Sequence, residues 1–217
     1  MNVAIIPARG GSRRILRKNI RPFHGKPIIA YAIQVALDSR LFRDVYVSTE
    51  DQEIADIAKV YGALVSWRPS ALAVDEVGTQ EVTRAALISI TAATGAVIDK
   101  ENPAHVLGGP DKITYACCIY PCVPLLTPEL LLQAYELLQA YGDYVVPCGH
   151  WLKDPGQFYF GRARAFLEDR PLLGPYTRLM PIPAWAAVDI NIEGDWQEAL
   201  RKYAELHERQ VNERGNV

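Results

Sequence analysis

The run Val3-Ala4-Ile5-Ile6-Pro7, followed by Ala8-Arg9-Gly10-Gly11-Ser12-Arg13-Arg14, constrains the fold of this chain more than any other segment. Val3 to Ile6 read as a buried β-strand, and Pro7 stops its ladder by removing a backbone donor. The loop therefore leaves the carboxyl end of a strand, where open α/β sheets bind their ligands. Gly10, Gly11 and Ser12 let backbone N–H groups approach a phosphate closely, while Arg9, Arg13, Arg14, Arg17 and Lys18 supply charge. The whole chain has a formal net charge of −2, so this local excess of cations is matched by an anionic guest, a triphosphate being the natural one. A solvated basic surface segment is the alternative. The spacing matches neither G-x-x-x-x-G-K-[ST] nor a G-x-G-x-x-G opening a helix, which argues against a P-loop or a dinucleotide-binding oxidoreductase.

The remainder alternates strands and helices. Val45–Ser48, Ala63–Ser66, Ile113–Tyr120, Tyr144–Cys148 and Gln157–Phe160 are predicted strands; Pro27–Ser39, Asp51–Tyr61, Thr79–Thr94, Arg162–Glu168 and Asp195–Arg209 are predicted helices. Thr79 is the expected N-cap of its helix, and Thr127 with Pro128 opens another. Repeated βα units imply a three-layer, Rossmann-like α/β fold with a mostly parallel central sheet. At 217 residues and 49% hydrophobic, the chain suits one domain spanning 1–217. The first residues are already strand and motif, leaving no room for a signal peptide, and no apolar stretch reaches the roughly 20 residues of a membrane span. The expected location is the cytoplasm. Cys117, Cys118, Cys122 and Cys148 lie in apolar contexts and read as buried thiols; adjacent Cys117 and Cys118 point to opposite faces of a strand, which disfavours a shared metal.

The run Pro7 to Ser12, then Arg17-Lys18-Asn19-Ile20, resembles the signature of the cytidylyltransferases that activate nonulosonic acids. Gly25-Lys26-Pro27-Ile28-Ile29-Ala30-Tyr31, Val45 to Asp51, Ile54-Ala55, Tyr61-Gly62-Ala63 and Arg68-Pro69 continue the resemblance in order. Cys117-Cys118-Ile119-Tyr120 and Gly156-Gln157-Phe158-Tyr159-Phe160-Gly161 look like the pseudaminic acid branch. The resemblance implies a nucleotidyltransferase (GT-A-like) fold, CTP and a nonulosonic acid as partners rather than nucleic acid or membrane, and Mg²⁺ or Mn²⁺ as cofactor. It implies nucleotide contacts from Ala8, Arg9, Gly10, Gly11, Ser12, Arg13, Lys18, Asn19, Arg68 and Thr79, with Arg9, Lys18 and Asp189 catalytic. Asn19 reads equally well as a turn residue.

Within Val188-Asp189-Ile190-Asn191-Ile192, residues two apart share a face if the segment is extended, so Asp189 and Asn191 are the candidate metal donors. The family resembled carries aspartate at both places. The acceptor sugar is assigned to Gln157, Phe158 and Tyr159, with Asp154 at its edge, although Phe158 and Tyr159 also read as alternate residues of a core strand. Residues 149–155 are short where the family inserts an arm with sugar contacts and much of a dimer interface. A homodimer is therefore weakened or rearranged, or the chain stays monomeric. Residues 98–111 look like an added loop. A rival to the CMP-sugar synthase reading is a homologue that binds nucleotide or sugar nucleotide without turnover, as Asn191 and the short arm suggest.

Overall fold

The computed structural model describes residues 1–74, 76–93, 97–98, 106–107, 113–150 and 153–215. Asp75, Thr94, most of the 98–111 loop, Trp151 and Leu152 lie outside these described residues. The strands are β1 (Asn2–Pro7), β2 (Pro22–Phe23), β3 (Lys26–Pro27), β4 (Asp44–Thr49), β5 (Leu64–Trp67), β6 (Val97–Ile98), β7 (Val106–Leu107), β8 (Tyr115–Ile119), β9 (Tyr144–Cys148), β10 (Phe158–Arg162) and β11 (Thr177–Pro181). The helices are α1 (Ile29–Asp38), α2 (Gln52–Val60), α3 (Thr79–Ala93), α4 (Pro128–Ala140), α5 (Ala163–Leu167) and α6 (Glu193–Gly215).

Seven strands form one sheet in the order β11-β9-β10-β8-β1-β4-β5. Strand β1 pairs in parallel with β4 on one side and β8 on the other, so the order reverses direction at β1. A crevice opens at the carboxyl ends of strands around such a reversal. Strand β10 runs antiparallel to both its neighbours, an exception inside an otherwise parallel sheet.

Alternation along the strands sorts the core into two layers. Ala4, Ile6, Val45, Val47, Cys117 and Ile119 face α1, α2 and α4, whereas Val3, Ile5, Ala116 and Cys118 face α3 and α5. All four cysteines are buried free thiols, and Cys117 and Cys118 point to opposite faces as expected. Local signals explain most helix starts. Asp51 accepts from the Ile54 N–H at 3.0 Å, and Thr127 accepts from Leu130 at 3.4 Å with Pro128 at the first helical position. Other starts differ from expectation. Thr79 is the first residue of α3 rather than its cap, and α1 begins at Ile29 because Pro27 pairs in a hairpin turned by His24 (φ 41°) and Gly25 (φ 86°). Helix α6 starts two residues early, where Asp195 reaches back to the N–H groups of Asn191 (2.7 Å) and Ile192 (2.9 Å), the second arm of a capping box.

A third apolar cluster lies under the end of the chain. Ile15, Phe23, Ile28, Tyr31, Cys122 and Leu125 pack against Val188, Ile190, Trp196 and Ala199. Phe23 is fully buried and meets Tyr31, Trp196 and Tyr203 edge-on at 5.4, 5.5 and 5.5 Å between centroids, an arrangement that suits the aromatic quadrupole. Because Val188 and Ile190 enter this cluster, Asp189 and Asn191 are turned outward. Phe23→Ala removes the ring about which α6 is assembled and is expected to cost about 3–5 kcal/mol of stability; urea unfolding followed by Trp fluorescence measures it, and an unchanged midpoint refutes the central role of Phe23.

Candidate active site

The loop after β1, the residues after β5 and β8, and the segment before α6 converge on one cleft of about 310 Å³. Arg9, Ser12, Arg14, Lys18, Asn19 and Arg68 line its basic side, Thr79 and Tyr120 a hydroxylic wall, and Gly156, Asp189 and Asn191 the far wall. The Lys18 ammonium donates to the Ile190 carbonyl at 2.6 Å, which ties the first loop to the segment between the two candidate metal donors. Asn19 is 4% exposed and acts as a latch: its Nδ2 donates to the Arg9 carbonyl at 2.9 Å and its Oδ1 accepts from the Cys122 thiol at 3.4 Å. Burial pushes that thiol up to about 12, so it stays a neutral donor although Lys18 opposes the shift.

The glycine loop differs from a bare phosphate cradle. The Gly10 N–H is already bonded to Glu50 Oε1 at 2.7 Å, and a Cβ at Gly10 would stand 2.2 Å from Asp51 Oδ2. Glycine is thus required here by a carboxylate of the protein itself. Arg17, in the left-handed region at φ 52°, turns away to Asp51 and Glu53. The hydrogen bond from Arg17 lowers the Asp51 carboxyl below its ordinary range. Part of the loop's positive charge is therefore neutralised internally. Arg14 lines the cleft, while the exposed Arg13 and Gly11 do not; Ala8 is fully buried with its N–H bonded to Ser48, so its side chain belongs to the core.

Arg68 is 9% exposed, its N–H bonds the Thr49 carbonyl at 3.0 Å, and its Nη2 donates to Glu50 Oε2 at 3.0 Å. Its Nε is buried without a partner. Burial lowers the guanidinium from its ordinary value, Arg9 adds to that, and Glu50 opposes both. Glu50 thus joins the loop amide to the buried arginine. It follows β4 directly, so the rule that ligands gather at strand carboxyl ends would have pointed to it and to Tyr120.

A chain of hydroxyls backs the cleft. Thr79 Oγ1 lies 3.1 Å from the Tyr120 hydroxyl, which lies 3.2 Å from that of Tyr159, and Tyr159 donates to Asp154. Burial raises both phenols, so both are protonated at neutral pH. Each hydroxyl has one proton. With that of Tyr159 committed to Asp154, Tyr120 donates to Tyr159 and Thr79 donates to Tyr120, which leaves Thr79 offering the cleft an acceptor lone pair.

Three residues assigned to the sugar need correction. Phe158 is wholly enclosed in the core beside α1, α2 and α4, so its ring meets no ligand. Gln157 is 1% exposed and fixes the segment that carries the candidate metal donors by donating to the Val188 carbonyl at 2.7 Å. Tyr159 is 8% exposed and its hydroxyl donates to Asp154. The outward pair fits a hard cation better. Asn191 Nδ2 sits 2.6 Å from Asp189 Oδ2, and turning the amide over places two oxygens side by side. One carboxylate plus one amide oxygen, completed by phosphate oxygens, is a donor set that Mg²⁺ or Mn²⁺ accepts. Among the described residues no three His, Cys, Asp or Glu side chains form a metal cluster, so phosphates would have to complete the shell. No helix among them is long and apolar enough to cross a membrane.

The family model described as Cytidylyltransferase matches residues 3–212. The pseudaminic acid cytidylyltransferase of Campylobacter jejuni strain 81-176 is 32% identical over 244 residues, covering 95% of this chain and 98% of the relative. That alignment is longer than this chain, so the relative carries segments absent here. Among solved structures, CMP:2-keto-3-deoxy-manno-octonic acid synthetase complexed with CTP has a TM-score of 0.67 at 12% identity over 94% of this chain and 98% of its own. Rv0371c of Mycobacterium tuberculosis, in complex with manganese, has a TM-score of 0.60 at 15% identity over 92% and 97%. These two likenesses are of fold. With the family match spanning nearly all the strands and loops that build the cleft, the chain belongs to the cytidylyltransferase family.

Proposed function

We propose that this protein transfers CMP from CTP to a nonulosonic acid of the pseudaminic acid kind, releasing pyrophosphate. The observation that carries the reading is the Lys18–Ile190 bond, which puts the cationic loop and the Asp189–Asn191 pair on one cleft. The acceptor's anomeric hydroxyl oxygen forms a bond to the α-phosphorus, the bond from that phosphorus to the pyrophosphate oxygen breaks, and the electron pair leaves with pyrophosphate. The hydroxyl proton passes to solvent. Little covalent work falls to the protein, whose task is to position two anions and stabilise charge.

Arg9, Arg14 and Lys18 neutralise the phosphates, and Ser12 borders them. Arg68, with its unpaired Nε–H, suits a pyrimidine carbonyl, and the acceptor lone pair of Thr79 suits a ribose hydroxyl or a ring amine. Asp189 and Asn191 would hold the divalent ion, which supplies Lewis-acid stabilisation of phosphate charge. Such a synthase works in the cytoplasm, where CTP is available. The C. jejuni relative's printed activity and the CTP-bound structural neighbour support this reading.

Purified protein incubated with CTP, Mg²⁺ and a panel of nonulosonic acids is expected to release pyrophosphate with at least one acid. CTP binding with no release from any of them sinks the transfer reading and leaves the non-catalytic binder. Restoring the second carboxylate by Asn191→Asp is expected to lower the Mg²⁺ concentration for half-maximal rate severalfold; an unchanged Mg²⁺ dependence counts against Asn191 as a donor. Glu50→Ala strands the Arg68 charge and frees the Gly10 amide, so CTP affinity is expected to drop about tenfold or more, with a loss of about 2–3 kcal/mol in stability. Calorimetric titration and urea unfolding read the two effects, and wild-type CTP affinity in the variant refutes the positioning role of Glu50.

A further inference from the structure

The peptide unit between Arg9 and Gly10 opens the cationic loop, and side chains distant in sequence hold it at both ends. Its N–H donates to Glu50 Oε1 at 2.7 Å, and its carbonyl accepts from Asn19 Nδ2 at 2.9 Å. With glycine on one side, such a unit turns over at little steric cost, so these two bonds decide which way it faces. Glu50 is in turn fixed by the Arg68 guanidinium at 3.0 Å. Asn19 sits 4% exposed in the single turn Lys18–Ile20, and what fixes its amide comes from another part of the cleft. The Cys122 thiol, just after β8, lies 3.4 Å from Asn19 Oδ1. A carbonyl oxygen only accepts, so the thiol is the donor.

Of the four buried cysteines, only Cys122 lines this cleft, and it belongs to the apolar cluster of Ile15, Val188 and Ile190 that joins the loop to the far wall. Burial keeps its thiol protonated at neutral pH, so the donor is constant. An amide that loses the donor to its oxygen either keeps a buried acceptor unpaired or rotates and sets that oxygen against the Arg9 carbonyl, acceptor facing acceptor. Either outcome loosens the Arg9–Gly10 unit. We infer that Cys122 is a positioning residue for nucleotide binding: through the Asn19 amide it sets the Arg9–Gly10 peptide, and with it the direction the cationic loop takes toward the cleft. The inference rests on the nucleotide reading above for what the loop receives. Cys122 acts here through Asn19, whereas Arg9, Arg14 and Lys18 act on the phosphates directly.

Threonine and valine have nearly the same shape and only threonine donates, so Cys122→Thr and Cys122→Val separate the hydrogen bond from the volume. Two measurements on the full-length protein make the test. Without nucleotide, trypsin cleavage at the exposed Arg13 and Arg14 reports opening of the loop, and it is expected to run about threefold or more faster in Cys122→Val and at the wild-type rate in Cys122→Thr. By calorimetric titration, Cys122→Val is expected to bind CTP about tenfold more weakly than wild type, and Cys122→Thr within about twofold of it. Cys122→Ala, which also lacks a donor, is expected to follow Cys122→Val. In an Asn19→Ala background Cys122→Val is expected to add no further loss, because the thiol acts through Asn19. Equal trypsin rates in the threonine and valine variants, or a further loss on adding Cys122→Val to Asn19→Ala, overturn the assignment. A trypsin difference in a protein whose wild type binds no CTP keeps the clamp and removes the nucleotide reading. Pyrophosphate release by the wild type alongside equal trypsin rates keeps transfer and removes the clamp.

Discussion

One charge-assisted hydrogen bond, from the Lys18 ammonium to the Ile190 carbonyl, holds together parts of the chain 172 residues apart. The loop that carries the cations and the segment that carries Asp189 and Asn191 have no secondary-structure pairing with each other. Their relative position depends on this contact and on the apolar cluster of Ile15, Phe23, Val188 and Ile190 beneath it. The cluster decides which side chains turn outward, and the ammonium decides how close the two walls stand. Arg21, stacked on Trp196 at 4.5 Å and bonded to Glu193, fastens the same junction from the solvent side.

Electrostatics in the cleft is a balance rather than an accumulation. Glu50, Asp51 and Glu53 draw Arg17 and the Gly10 amide toward α2, leaving Arg9, Arg14 and Lys18 toward the cavity. An uncompensated run of five cations would repel itself in the empty protein. Internal carboxylates relieve that repulsion before any ligand arrives, and they give the loop one shape.

Much of this was legible in the sequence where the signal is local. Strand β1 announces itself by its apolar run and α4 by a threonine cap with proline behind it, and both stand where expected, although Pro7 is paired with Ser48 and the Ala8 N–H carries the ladder one bond beyond it. The pairing of the loop with Asp189 and Asn191 was an expectation from resemblance, and the two do line one cleft. What was illegible depends on distant partners. Strand β11, Thr177–Pro181, lies at the sheet edge with most residues exposed, so no alternating pattern marks it. Period-two alternation places Phe158 and Tyr159 on opposite faces, yet both faces of β10 are covered, and both rings are buried. Glycine at position 10 suggested a phosphate, whereas the atom that excludes a side chain there belongs to Asp51.

The position of the last wall along the chain also bears on how the protein is made. Strand β1 is flanked on both sides only once β8 has been synthesised, and the cleft lacks its far wall until residues near 190 have emerged. Because chains fold as they leave the ribosome, at about 5–20 residues per second, the nascent protein holds a cationic loop for roughly ten to thirty seconds before the segment that completes the cleft exists. The acidic residues after β4, made well before the segment near 190, are the loop's own counter-ions until that wall arrives.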